Sequence, residues 1–233
     1  MTRVVLTREE GRNASLRDYL PSGVHVVEVP ATRTEFRDLG AFEEALRGVT
    51  SATGPSWLVV TSARSARYAR RTLEVLGVDA RVASVGAVTT GELEGLGVAV
   101  ALRGDAGAAA LAPSLSGTVI TIGALENRGE LEEILVERGV TVHHVACYET
   151  RACALSARER RTLADADVVF VGAPSSWRVV GAFVSERALL VVPGATTAEH
   201  VGARHEVMVG WDESLPARLG TWISSHERTL GEA

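Results

Sequence analysis

The chain contains no lysine: all 24 of its basic residues are arginine. Coding bias toward GC-rich codons accounts for this most simply. Any anion held here must meet arginine forks, serine and threonine hydroxyls or backbone N–H groups. The planar arginine fork suits carboxylates because it bonds both oxygens at once. Cysteine is also scarce. Cys147 and Cys153 are too few for a disulfide framework and lack metal-ligand spacing. No apolar run approaches the roughly 20 residues of a membrane helix. The opening MTRVVLTREEG has neither the apolar stretch nor the cleavage site of a signal peptide, so the cytoplasm is the expected compartment. A formal charge of −5 without a basic cluster argues against a nucleic-acid partner. GxGxxG and GxxxxGK[ST] are both missing, which leaves dinucleotide and triphosphate sites unsupported. His143 and His144 are neighbours on a strand and face opposite ways, so they are no metal pair. Spacing offers no Ser-His-Asp or Cys-His set.

What is present is alternation. Apolar runs at 3–7, 24–33, 57–60, 81–85, 98–102, 118–122, 140–148, 167–171, 189–192 and 206–210 predict strands. Helical patterns at 8–20, 38–48, 64–76, 89–96, 105–115, 127–138, 156–164, 175–186, 196–204 and 214–226 separate them, with a Ser/Gly/Pro-rich loop at 50–56. Strands that are apolar throughout belong to parallel sheets covered on both faces. The fold class is α/β, with right-handed crossovers. A length of 233 residues allows one large or two small domains.

The chain also repeats itself. Residues 4–34 have the layout of 119–151, and 57–69 echo 168–180, giving an order A, B, A′, B′. Two similar α/β lobes follow, with a cleft between them as the expected ligand site. The repeat leaves open whether A pairs with B or with B′. A second echo joins VASVGAVTTGEL (82–93) to LLVVPGATTAEH (189–200). Each is a strand, a glycine turn, a threonine pair and a helix.

Ligands of open parallel sheets bind beyond the carboxyl ends of the strands. The residues there are Thr7 and Arg8; Thr61, Ser62 and Arg64; Gly86 and Thr89; Gly123; Gly172 and Ser175; and Gly194, Thr196 and Thr197. Each loop precedes a helix N-terminus, whose unpaired N–H groups favour anions. Thr89 with Glu92, and Thr196 with Glu199, also fit capping-box spacing, so each hydroxyl alone reads as a cap. Thr197, with His200 rather than an acid three residues on, is the stronger binding candidate. Tyr148 sits near the end of the long strand TVHHVACYETR, where a phenol could give a proton to a leaving group. Cys147 beside it reads as buried filler.

Taken together, VLTRE, VVTSARSA, VASVGAVTTGEL, GVTVHHVACYET and LLVVPGATTAEHVG, in this order along the whole chain, resemble the uroporphyrinogen-III synthase family. The resemblance implies an exchanged topology. Residues 1–31 with 152–233 form lobe one, 35–146 form lobe two, and 27–34 and 145–151 are linker strands. It implies closure of the linear tetrapyrrole hydroxymethylbilane to uroporphyrinogen III, with inversion of ring D, loss of water and no cofactor or metal. Tyr148 falls on the family's YxT tyrosine; Thr89 and Thr197 fall on the threonine three residues after its turn glycine, and Thr61-Ser62 on its TS turn, with Arg64 nearby. Transient contact to the deaminase that makes the substrate is implied as well, and a single chain with polar linkers is expected to be a monomer. Departures exist: Gly172-Ala173 stand where Thr-Ser is usual, and Ala87 and Ala195 where proline is usual. The alternative function is a non-catalytic tetrapyrrole- or polyanion-binding sensor of the same fold.

Overall fold

A computed structural model describes residues 1–49, 54–77, 80–127 and 129–231, the last five of these without side chains. Residues 50–53 of the expected 50–56 loop lie outside the described residues. The chain opens with β1 (Arg3–Leu6), α1 (Ala14–Arg17), β2 (His25–Glu28) and β3 (Thr32–Phe36). Next come α2 (Leu39–Val49), β4 (Trp57–Val60), α3 (Ala66–Leu76), β5 (Arg81–Val85), α4 (Gly86–Gly95) and β6 (Leu102–Gly104). They are followed by β7 (Thr118–Ala124), α5 (Glu130–Glu137), β8 (Thr141–Ala152), α6 (Ala157–Ala164), β9 (Val168–Phe170) and α7 (Pro174–Val180). The last elements are β10 (Leu189–Val192), α8 (Ala195–Val201), β11 (Val207–Val209) and α9 (Leu215–Gly231). No helix among the described residues is long and apolar enough to cross a membrane.

Among the described residues the strands form two sheets, ordered β11-β10-β9-β1-β2 and β6-β5-β4-β7-β8-β3. The chain divides accordingly into unit one, Met1–Arg33 with Arg151–Ala233, and unit two, Thr34–Thr150. Read through the sequence repeat, β9, β10, β11, β1 and β2 correspond to β4, β5, β6, β7 and β8. The two orders are then the same, with β3 added at one edge. Parallel pairing of β1 with β9, and of β4 with β7, shows that A joins B′ and B joins A′. The registers agree too: Leu6 pairs with Phe170, and its repeat mate Thr121 pairs with Val59. The topology is exchanged.

Both faces of each sheet are covered, which is why these strands carry no polar alternation. On β4, Leu58 and Val60 enter one apolar cluster while Trp57 and Val59 enter another. On β9, Val169 belongs to one cluster of unit one, and Val168 and Phe170 to the other. Several elements differ from expectation. The helix expected over 8–20 is cut to one turn, because Arg12 closes a turn onto Glu9 and Gly11 takes φ +74°. The strand expected at 98–102 moves to 102–104, since the Val98 N–H still satisfies the Leu93 carbonyl at the end of α4. The helix expected over 105–115 is a 3₁₀ segment at Ala109–Ser114 containing Pro113, which has no N–H to donate. The extended run 24–33 divides into β2 and β3, which belong to different sheets.

Candidate active site

In unit two the candidate residues lie after β4, in the helix that follows β5, and within β8. Thr61 donates its hydroxyl to the Ile122 carbonyl at 3.1 Å, so it bridges β4 to β7. Ser62 accepts from the Arg64 N–H at 3.2 Å and caps the 3₁₀ turn Ala63–Ser65. Arg64 lies against the Tyr148 ring, its guanidinium carbon 5.8 Å from the centroid. Gly86 has φ +78°, a conformation that requires glycine. It is the first residue of α4 and the N-cap is Val85, so Thr89 lies within the helix and is no capping residue. Its neighbour Thr90 makes the internal bonds, 2.7 Å to Ser84 Oγ and 3.1 Å to the Gly86 carbonyl. Among the described residues Thr89 is buried and its hydroxyl makes no hydrogen bond.

Tyr148 owes its position to a feature that strand periodicity hides. Gly123 pairs with Ala146 but Ala124 pairs with Tyr148, so Cys147 is an extra residue, a bulge. Alternation is interrupted there, and Cys147 and Tyr148 are both buried in the same apolar cluster. Burial pushes the Cys147 thiol up to about 12, which keeps it an inert neutral group. Tyr148 borders a cavity of about 300 Å³ lined also by Glu35, Phe36, Arg37, Leu125, Ala146 and Glu149. The Phe36 ring is tilted against it with centroids 6.2 Å apart. Among the described residues the phenol oxygen has no hydrogen-bond partner. Tyr68, by contrast, donates to the Arg37 carbonyl at 2.6 Å, and burial raises its ionisation above the ordinary phenol range.

Unit one holds the remaining candidates. Thr7 is fully buried, with its hydroxyl committed to the Phe170 carbonyl at 2.7 Å. Arg8 sits over the Trp211 ring at 5.7 Å. Gly172 explains its own departure from Thr-Ser: a Cβ there would stand 3.1 Å from Arg8 Cγ and 3.5 Å from the Trp211 ring. Ser175 is half-buried in the first turn of α7, behind Pro174. Gly194 is the extended N-cap of α8, φ −171°, so neither Thr196 nor Thr197 caps. Thr196 is exposed; Thr197 is buried, and among the described residues its hydroxyl makes no hydrogen bond. Arg64 and Tyr148 are thus brought together in unit two, while Arg8, Ser175, Thr196 and Thr197 belong to unit one. Two features are invisible in the sequence. The Arg8–Trp211 contact is hidden because Trp211 is 203 residues away in the chain (211 − 8). A polar group around His144 is hidden because spacing tests adjacent histidines only as metal ligands. No three His, Cys, Asp or Glu side chains are grouped as a metal site among the described residues.

Two α/β units built from interleaved halves of one chain, each with hydroxyls and helix starts at its strand ends, define a class of two-unit α/β proteins with exchanged topology. A family model described as uroporphyrinogen-III synthase HemD matches residues 16–207. The chain belongs to the uroporphyrinogen-III synthase family, whose enzymes are cyclising hydro-lyases. Among solved structures it is similar to a uroporphyrinogen-III synthetase from Helicobacter pylori, with a TM-score of 0.66 and 17% identity over 96% of this chain and 100% of the other. A mutant uroporphyrinogen III synthase from Thermus thermophilus gives a TM-score of 0.65 and 18% identity over 98% and 100%. At these identities the likeness is one of fold. No curated protein sequence matches the chain.

Proposed function

We propose that the cavity beside Tyr148 receives one ring of linear hydroxymethylbilane, and that the Tyr148 hydroxyl assists the departing hydroxyl group. Among the described residues the phenol has no hydrogen-bond partner, and its place at the edge of that cavity carries this reading. At about 300 Å³ the cavity is at the small end of ligand pockets. It fits one pyrrole ring, not four. Proton donation turns the leaving hydroxide into water, and the phenolate recovers its proton when the closing ring loses its own. Ring D then attacks through its substituted carbon, giving a spiro intermediate that resolves to the type III isomer. Most of the acceleration is positioning, because the substrate ionises readily and closes unaided to the wrong isomer.

The substrate's carboxylates suit the arginine forks, hydroxyls and helix starts that each unit carries beyond its strands. Arg64, Thr61, Ser62 and Thr89, with the glycine turn at Gly86, serve in unit two. Arg8, Ser175, Gly194, Thr196 and Thr197 serve in unit one. Thr7 contributes by holding β1 to β9. The two units are the two lobes of the family, a monomer working in the cytoplasm, with transient contact to the substrate-producing deaminase. Replacing Tyr148 by phenylalanine tests the donor directly. Turnover of fresh hydroxymethylbilane, followed as porphyrin after oxidation, is expected to fall by about tenfold or more. Unchanged turnover would reduce Tyr148 to a packing residue.

A further inference from the structure

His144 is half-buried on β8 among polar groups that the proposed chemistry does not use. Its Nε2 lies 2.8 Å from the Ala124 carbonyl, which can only accept, so this nitrogen carries a proton. Its Nδ1 lies 2.9 Å from Thr121 Oγ1 and 3.3 Å from Asn127 Nδ2. Thr121 and Asn127 both donate to Glu132 Oε1, at 2.7 and 2.9 Å. That carboxylate, in the first turn of α5, is 3.6 Å from Nδ1. Asn127, with two amide hydrogens, can donate to both Glu132 and Nδ1, whereas the one Thr121 hydroxyl proton serves only one of them. Thr121 and Glu132 then pack the ring in place, as members of such networks hold one another in one arrangement.

What the ring grips is one wall of the Tyr148 cavity. The peptide joining Ala124 to Leu125 presents its carbonyl to His144 and its N–H to the Tyr148 carbonyl, the latter at 2.7 Å. A peptide is planar and stiff, so its two ends move together. Leu125 itself lines the cavity. The same peptide adjoins the bulge, where ordinary ladder pairing no longer fixes the strand end.

The sequence repeat supplies a comparison within the molecule. In register, the mate of His144 is Glu28, paired with Leu6 as His144 is paired with Thr121. Among the described residues the Glu28 side chain bonds only Asn13, at 2.9 Å, and Arg17, at 2.7 Å. Both units therefore tie this strand position to the neighbouring helix segment with polar groups of opposite sense. Only unit two extends the tie to a peptide that touches a candidate catalytic residue.

We propose that His144, held by Thr121, Asn127 and Glu132, is a positioning residue that sets Tyr148 through the Ala124–Leu125 peptide; this rests on the reading of Tyr148 as proton donor. A double-mutant cycle with H144A and Y148F tests it. H144A is expected to lower kcat by about tenfold with KM within about twofold. In the Y148F background it is expected to cost no more than about twofold, because the group it positions is already gone. H144Q, whose amide can still donate to the Ala124 carbonyl, is expected to recover at least about half the wild-type rate. Glu28→Gln removes the equivalent tie in unit one and is expected to leave kcat within about twofold, separating positioning from general stability. If H144A does not fold, T121V takes its place in the cycle, with the same direction expected. Wild-type turnover in H144A, or an equal loss in both backgrounds, would overturn the inference. Wild-type turnover in Y148F would instead overturn the reading on which it rests.

Discussion

At Gly172, in the unit-one loop after β9, a Cβ would stand tightly against Arg8 Cγ and in contact with the Trp211 ring. The repeat mate of Gly172 is Thr61, which stands against Gly123 on the facing strand. At each of these strand pairs one partner is glycine and the other carries the bulk. Restoring the family's usual residue with G172T is therefore expected to destabilise the protein, by about 1–3 kcal/mol as for other overpacked sites. A lower denaturant midpoint at unchanged slope checks this; an unchanged midpoint would mean Arg8 and Trp211 rearrange freely. Glu28 gives a pH-dependent expectation. Hydrogen bonds from Asn13 and then Arg17 hold its carboxyl below the ordinary carboxylate range. With the folded value depressed, the stabilisation is present above the unfolded value of about 4.3 and is lost as pH falls through the folded one. E28Q is thus expected to lower stability near neutrality and to flatten its decline on acidification. Unfolding curves from pH 7 to about 3 measure both effects.

At the scale of elements, the two glycine-threonine turns look alike in sequence and are built differently. Gly86 begins α4 at φ +78°, whereas Gly194 is an extended N-cap at φ −171° with open space where a Cβ would stand. G86A is expected to cost about 1–2 kcal/mol, and G194A at most about 0.5, read as thermal or denaturant midpoints. Equal losses would contradict the difference. The threonines were legible as candidates, but their capping-box spacing misled: both helices start earlier than Thr89 and Thr196, so the acids at 92 and 199 meet no cap. Strand existence was legible from continuous apolar runs. The short α1 and the 3₁₀ segment at 109–114 were not, because Gly11 and Pro113 act through local backbone geometry that apolar periodicity does not encode. The bulge at Cys147 was illegible for a related reason: pairing register belongs to two strands, and one sequence segment carries only half of it.

For the whole molecule, the repeat held the sheet order in advance but not its partnering. A and A′ look equally able to join B, and the choice is set by tertiary pairing of β1 with β9 and β4 with β7. Family resemblance, carried by weak motifs in the right order, supplied that choice from sequence. The candidate site was legible where its residues follow strands and, for Tyr148, which lies inside β8, from the YxT resemblance. His144, which reaches Tyr148 through a peptide of another strand, was not legible. Closure of hydroxymethylbilane toward the type III isomer is the activity of this chain. It is tested most directly by incubating freshly made substrate with the protein, oxidising the products and measuring the ratio of type III to type I porphyrin. A product dominated by type III is expected; a ratio no higher than in buffer alone would contradict this activity.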